Sequence, residues 1–141
     1  MSASMQREVL VPEGLAPPRG FNHGIAVEGG KLVFLAGQDA SGPDGDIVAP
    51  GELLPQFEQV LENLRAVVEA AGGSSEDIVK LNIFVSDADE YRANLAALGE
   101  IFQRYIDTYP AMALFEVSGF FKPGAVVELE GFAVVDPEQD G

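Results

Sequence analysis

Residues 110–135, PAMALFEVSGFFKPGAVVELEGFAVV, decide the fold. Two apolar runs flank a turn built on Lys122-Pro123-Gly124, the pattern of a hairpin. Side chains alternate faces along a strand, so Met112, Leu114, Glu116 and Ser118 share one face of the first run and Ala113, Phe115 and Val117 the other. In the second run Val126, Glu128, Glu130, Phe132 and Val134 lie opposite Val127, Leu129, Gly131 and Ala133. This strand is therefore largely apolar on both faces, with carboxylates set among Val and Phe on one of them. A carboxylate in that setting is a candidate for chemistry.

Working outward, the spacing predicts a helix upstream of this stretch, with Tyr91, Leu95, Leu98, Phe102 and Tyr105 as its apolar stripe. Asp87 followed by Glu90 approximates a capping box at its start. Residues 78–85 read as a strand, with Val79, Leu81, Ile83 and Val85 opposite Ile78, Lys80, Asn82 and Phe84. Before it, Leu53, Leu54, Phe57, Val60, Leu61, Leu64, Val67, Val68 and Ala71 recur at helical steps until Gly72-Gly73, with Pro55 tolerated in the first turn. Residues 39–51 carry loop chemistry; Asp44-Gly45-Asp46 there is read as a turn, since the ligand spacing of an EF-hand is missing. Gly29-Gly30 between Ile25-Ala26-Val27 and Leu32-Val33-Phe34-Leu35 reads as a two-residue hairpin turn. A short strand at 7–11 and an irregular Pro/Gly segment at 12–20 come first, and the terminal residues, about 1–6 and 136–141, are expected to be frayed.

Composition bounds the function. A chain of 141 residues fits a single domain over 1–141, one that buries roughly 68 to 70% of its unfolded surface. Eight Lys and Arg against 23 Asp and Glu give a net charge of -15, which works against nucleic acid and anionic membranes as partners. With no cysteine and one histidine there is no thiolate nucleophile, no zinc-thiolate site and little for an imidazole metal cluster. The N-terminal residues lack the apolar core of a signal peptide, and a soluble cytoplasmic protein is the expectation.

The predicted order is strand, hairpin, helix, strand, helix, hairpin: an α+β fold with one mixed sheet of about six strands and two long helices packed on one face. The strands at 32–36, 78–85 and 126–134 carry apolar residues on both faces, so the second face needs another cover. A second copy of the chain is the simplest candidate.

The stretches LAGQDASGPDGDIV and QFEQVLENLRAVVEAAGGSSEDIVKLNIFVSDADEY, then YPAM and VELEGFAVV, resemble the RidA/YjgF family of imine and enamine deaminases over about 21–135. The resemblance rests on separated motifs in the right order, including the Gly37-Gln38 pair, the AAG helix end and the VELE strand. It implies a chorismate-mutase-like fold, a homotrimer with small-molecule clefts between neighbouring subunits, and no cofactor. It places ligand contacts at Phe21, Gly37, Leu95, Met112 and Leu114, and catalytic roles at Glu128 and His23.

Family members acting on imines of amino acids such as 2-iminopropanoate carry, directly after the Pro-Ala of the penultimate strand, an arginine whose fork grips the substrate carboxylate. This chain has Met112 there, with no strong donor to offer. A family asparagine on the second helix corresponds to Leu95, and the aromatic residue that leans over the cleft corresponds to His23. Glu128 matches the family carboxylate thought to position or activate water.

Each assignment has a plainer counterpart. Glu128 is either a general base with a raised pKa or the partner of a neighbouring chain's Arg or backbone amides. His23 either exchanges protons with an amine or water or is a hydrogen-bonded loop residue. Met112 reads as a cleft wall, and Arg19 either replaces the missing arginine or serves the surface. Glu116 and Glu130 read as solvated or interfacial charges. Three functions follow: hydrolysis of an imine or enamine to a carbonyl compound and ammonia, a non-catalytic binding or regulatory trimer, and ribonuclease activity, for which an acidic chain with one histidine is poorly equipped.

Overall fold

The computed structural model describes residues 5–137; most of the residues expected to fray, 1–4 and 138–141, lie outside it. Strands β1 (Gln6–Leu10) and β2 (Gly24–Glu28) pair antiparallel. Strands β3 (Lys31–Gln38), β4 (Ile78–Val85), β5 (Ala111–Glu116) and β6 (Val127–Val135) form a second sheet in the order β3-β6-β4-β5. The β4–β5 pair is parallel and the other two pairs are antiparallel. The α+β class and six strands stand as read, but the strands divide between two sheets. A single parallel bridge, Asn22 to Ala111, leans the small sheet against the β5 edge.

Neither expected hairpin pairs its own strands. Gly29 and Gly30 do take the positive φ of such a turn, +75° and +84°. Yet β2 pairs with β1 and β3 with β6, so the turn serves as a corner between sheets. After Lys122-Pro123-Gly124, β6 does not return along β5: β4 lies between them. The reason is burial. The strand 78–85 is buried along one face and carries Ile78 and Phe84 on the other, and it takes a central place, where β6 and β5 cover both its edges.

Helix α1 (Leu53–Ala70) buries Leu53, Phe57, Val60, Leu61, Leu64 and Val68 against the sheet, the stripe its spacing predicts. It ends in a Schellman motif: Gly73 N donates to the Val68 carbonyl at 3.1 Å, Gly72 N to that of Glu69 at 3.0 Å, and Gly72 has φ +91°. The expected second helix is two. Asp87 caps α2 (Ala88–Ala93) by accepting from Glu90 N at 3.1 Å, and Asn94, with φ -117° and ψ 22°, separates it from α3 (Leu95–Gln103). These helices meet one sheet face, where Leu81, Ile83, Val85, Val127, Leu129 and Val135 are buried.

The opposite face is open in the single chain. Leu32 pairs with Val134, and Phe34 with Phe132. The Phe34 and Phe132 rings stand edge to face at 5.3 Å, and those of Phe84 and Phe115 stack at 5.6 Å. Phe34 is nevertheless 72% exposed and Leu32 55%. The two-sided apolarity read from the sequence is a real surface.

Candidate functional site

A pocket of about 510 Å³ opens between the helices and β5, within the range of small-molecule sites. Its walls follow from the elements above. On β5, Met112 pairs with Leu81 and Leu114 with Ile83, which puts both on the helix side of the sheet. Leu95 and Leu98 face them from α3, and Phe57 and Phe102 form the floor. Tyr91 and Tyr109 supply hydroxyls; burial, and then the neighbouring Tyr109, push the Tyr91 pKa up to about 12, so it stays a neutral donor. Arg19, Gly20 and Phe21 close the remaining side from the loop before β2. Asn22 tacks that loop down: its backbone N donates to the Pro110 carbonyl at 3.0 Å and its side-chain Nδ2 to the Tyr109 carbonyl at 2.7 Å.

Phe21, Leu95, Met112 and Leu114, assigned to ligand contact from sequence, thus meet in one pocket, together with Arg19. Asn94, next to Leu95, is turned away: its Nδ2 donates to the Glu90 carbonyl at 2.8 Å. His23 lies one step removed. Its ring stands edge to face on Phe21 at 5.3 Å, and its Nε2 is 2.7 Å from the Ala16 carbonyl oxygen. That oxygen can only accept, so Nε2 carries the proton and His23 is engaged as a loop residue in this chain.

Glu128 and Gly37 form a separate half-site. The β3–β6 register slips between Leu35 and Gln38, placing a bulge at residues 36–37. A β-carbon on Gly37 would overlap Glu128 Oε2, so the absence of a side chain there leaves room for the carboxylate. Partial burial raises the Glu128 pKa, and the Asp39 and Glu130 charges raise it further. Among the described residues no group donates a hydrogen bond to this carboxylate. Glu128 pairs with Phe84 on the face turned away from the helices, whereas Met112 and Leu114 are on the helix side. Within one chain the sheet lies between the two half-sites.

Sequence reasoning had Tyr91 and Phe102 in a core stripe and passed over Phe57 and Tyr109 as site residues. Tyr109, immediately before the Pro-Ala of β5, carried the available signal: an aromatic residue entering a candidate site strand.

A mixed sheet with helices on one face, a bulge glycine beside a strand carboxylate and a pocket under the edge strand define a small α+β domain of the Rid type. The chain belongs to the family described as Endoribonuclease L-PSP, whose model matches residues 13–135. It is 31% identical over 128 residues to a RutC family protein of Pyrococcus horikoshii, covering 90% of this chain and 97% of that protein. It is 29% identical over 132 residues to the 3-aminoacrylate deaminase RutC of Acinetobacter baylyi, covering 93% and 100%. The crystal structure of YyfB, a Rid family protein of unknown function from Yersinia pestis, superposes with a TM-score of 0.79 at 32% identity, covering 92% of this chain and 98% of that one.

Proposed function

We propose that the protein is a homotrimeric hydrolase of imines or enamines, with its clefts between subunits and Glu128 as the general base. The observation that carries this is Glu128 itself: a strand carboxylate with a raised pKa, no donor of its own and a glycine keeping space beside it. The pocket half and the carboxylate half lie on opposite faces of one sheet, so a ligand touching both takes them from two copies. The exposed face around Phe34 and Phe132 supplies the surface for that contact.

In this reading Glu128 accepts a proton from water as the oxygen adds to the imine carbon and passes it to the imine nitrogen, which becomes an amine and leaves the carboxylate ionised again. The tetrahedral carbinolamine then loses its hydroxyl proton as the nitrogen gains one; the C–N bond breaks, leaving a carbonyl compound and ammonia. The Acinetobacter relative is named for deamination of 3-aminoacrylate, an enamine, which is chemistry of the same kind. The family's description as an endoribonuclease fits this chain poorly, because a charge of -15 opposes RNA binding.

A second reading, a trimer that binds a metabolite without turning it over, is favoured by the apolar residues Met112, Leu95 and Leu114 where a carboxylate clamp would sit. The deciding experiment follows loss of 2-iminopropanoate and other imines generated in situ by an amino-acid oxidase. Acceleration over a protein-free control, reduced about 10²- to 10⁴-fold in Glu128→Gln, is expected of a general base. No acceleration of any imine, or full activity in the Glu128→Gln protein, removes the catalytic reading.

A further inference from the structure

We propose that this pocket takes an uncharged ligand, an apolar body bearing one neutral acceptor such as a ketone oxygen or an imine nitrogen, with the acceptor held by the hydroxyls of Tyr91 and Tyr109. This names the ligand class of the cleft assigned above and rests on that cleft being the ligand site.

The hydroxyls come first. Of the three tyrosines in the chain, Tyr105 is already engaged, its hydroxyl donating to Glu62 at 2.8 Å. The hydroxyls of Tyr91 and Tyr109 hold no hydrogen bond among the described residues, and both side chains line the pocket. A partly buried phenol ordinarily finds a partner, so two without one, in a pocket wall, call for an acceptor from outside the chain. Their rings are fixed by a run of ring contacts along the pocket floor. Tyr91 stands edge to face with Phe57 at 6.3 Å, Phe57 meets Phe102 at 6.5 Å, and Phe102 stacks on Tyr109 at 5.3 Å. The Tyr109 hydroxyl reaches α3 at Gly99, where a β-carbon would lie 3.8 Å from it, and the glycine leaves that space to a ligand.

The pocket is poor in charge. Apart from Arg19 and Arg92, every side chain that lines it is uncharged. Arg19 is exposed, and Arg92 is exposed and answered by Asp89. An ion resting on Phe57 and Phe102 would give up its water with two solvent-facing arginines as its only counter-charges. The Glu128 half-site that such a ligand also touches already has Asp39 and Glu130 beside it, which opposes a further anion. A ketone or imine without a carboxylate escapes both costs. Phenols suit it better than cations do, because a neutral donor satisfies a neutral acceptor without a desolvated charge.

The test is NMR titration of the assembled protein with acetophenone, with 2-phenylpropene, in which a methylene replaces the ketone oxygen, and with benzoylformate, in which a carboxylate replaces the methyl. Loss of the uncharged imine made from benzylamine by a flavin amine oxidase is followed alongside. Tyr91→Phe and Tyr109→Phe keep the ring contacts; each should weaken acetophenone about fivefold and leave 2-phenylpropene unchanged. The wild type should bind benzoylformate about tenfold or more weakly than acetophenone. Wild-type affinity for acetophenone in both phenylalanine variants overturns the proposal, as does benzoylformate binding as tightly as acetophenone, or no binding of acetophenone. Tyrosine-dependent binding of acetophenone without faster loss of the imine sinks the catalytic reading and leaves this one standing. Imine hydrolysis at the wild-type rate in the double phenylalanine variant does the reverse.

Discussion

Glu128 sits where ionisation is disfavoured, and two consequences can be measured. Its pKa in the fold lies above its unfolded value, so the fold gains from its neutral form at pH below the ordinary carboxylate range. That gain is lost as pH rises through the raised pKa. Glu128→Gln should therefore stabilise the subunit near neutral pH, with the difference from wild type closing as pH falls; thermal melts across that range check it. If Glu128 is the base, kcat/KM should climb with pH along a limb displaced above the usual carboxylate pKa, and the limb should vanish in the glutamine variant. Gly37→Ala is the subtler change. The added methyl meets the end of the Glu128 side chain rather than backbone, so the protein should fold while the carboxylate is pushed aside. A normal circular dichroism spectrum with at least tenfold lower activity is the expected result, and unchanged activity would show that the carboxylate position is not critical. The family motif singled out Gly37 and Glu128 separately, but their contact was not legible in the sequence. Nothing in local periodicity announces that a bulge in β3 will bring residue 37 over residue 128.

Among the elements, the connection from β5 to β6 shows where local reading stops. A Lys-Pro-Gly turn between two apolar runs reports that the chain reverses, but it carries no information about which strand lies beside which. That choice belonged to β4, whose apolar residues on both faces were plain in the sequence even though its place between β5 and β6 was not. What secures the crossover is Gln56, fully buried on α1 and silent in any hydrophobic pattern. Its Nε2 donates to the carbonyls of Ala49 at 3.0 Å and Gly124 at 2.8 Å, and its Oε1 accepts from Val126 N at 2.9 Å. Gln56→Leu would leave Val126 N without its acceptor, whereas the Ala49 and Gly124 carbonyls would keep the bonds they accept from Glu52 N and Gly51 N. For that one unsatisfied donor a loss of ~1–3 kcal/mol is expected. Urea unfolding should show a lower midpoint at an unchanged slope. A loss below about 1 kcal/mol would mean that water replaces the amide.

For the whole molecule, the feature legible from the outset was surplus hydrophobicity: more apolar strand surface than two helices can cover. The structure places it on one face, centred on Phe34 and Phe132. Phe34→Glu puts a charge at a position 72% exposed in the single chain, so the subunit should fold much as before. In an assembly that buries this face the same carboxylate is desolvated and the copies should separate. Sedimentation velocity should show a trimer for the wild type and a monomer for Phe34→Glu; wild-type monomers at micromolar concentration would withdraw the shared cleft with them.

The strand order also dictates how the molecule is made. β6, last of the strands to leave the ribosome, is the one that joins β3 to β4. Until then the earlier strands have no common ladder, and a nascent chain holds α1 over a sheet still in two pieces with unpaired edges. Completion waits on contacts between residues about a hundred positions apart, which makes closure of the sheet a slow event that follows synthesis. For that interval the newborn polypeptide depends on being shielded from its neighbours, among them copies carrying the same sticky face.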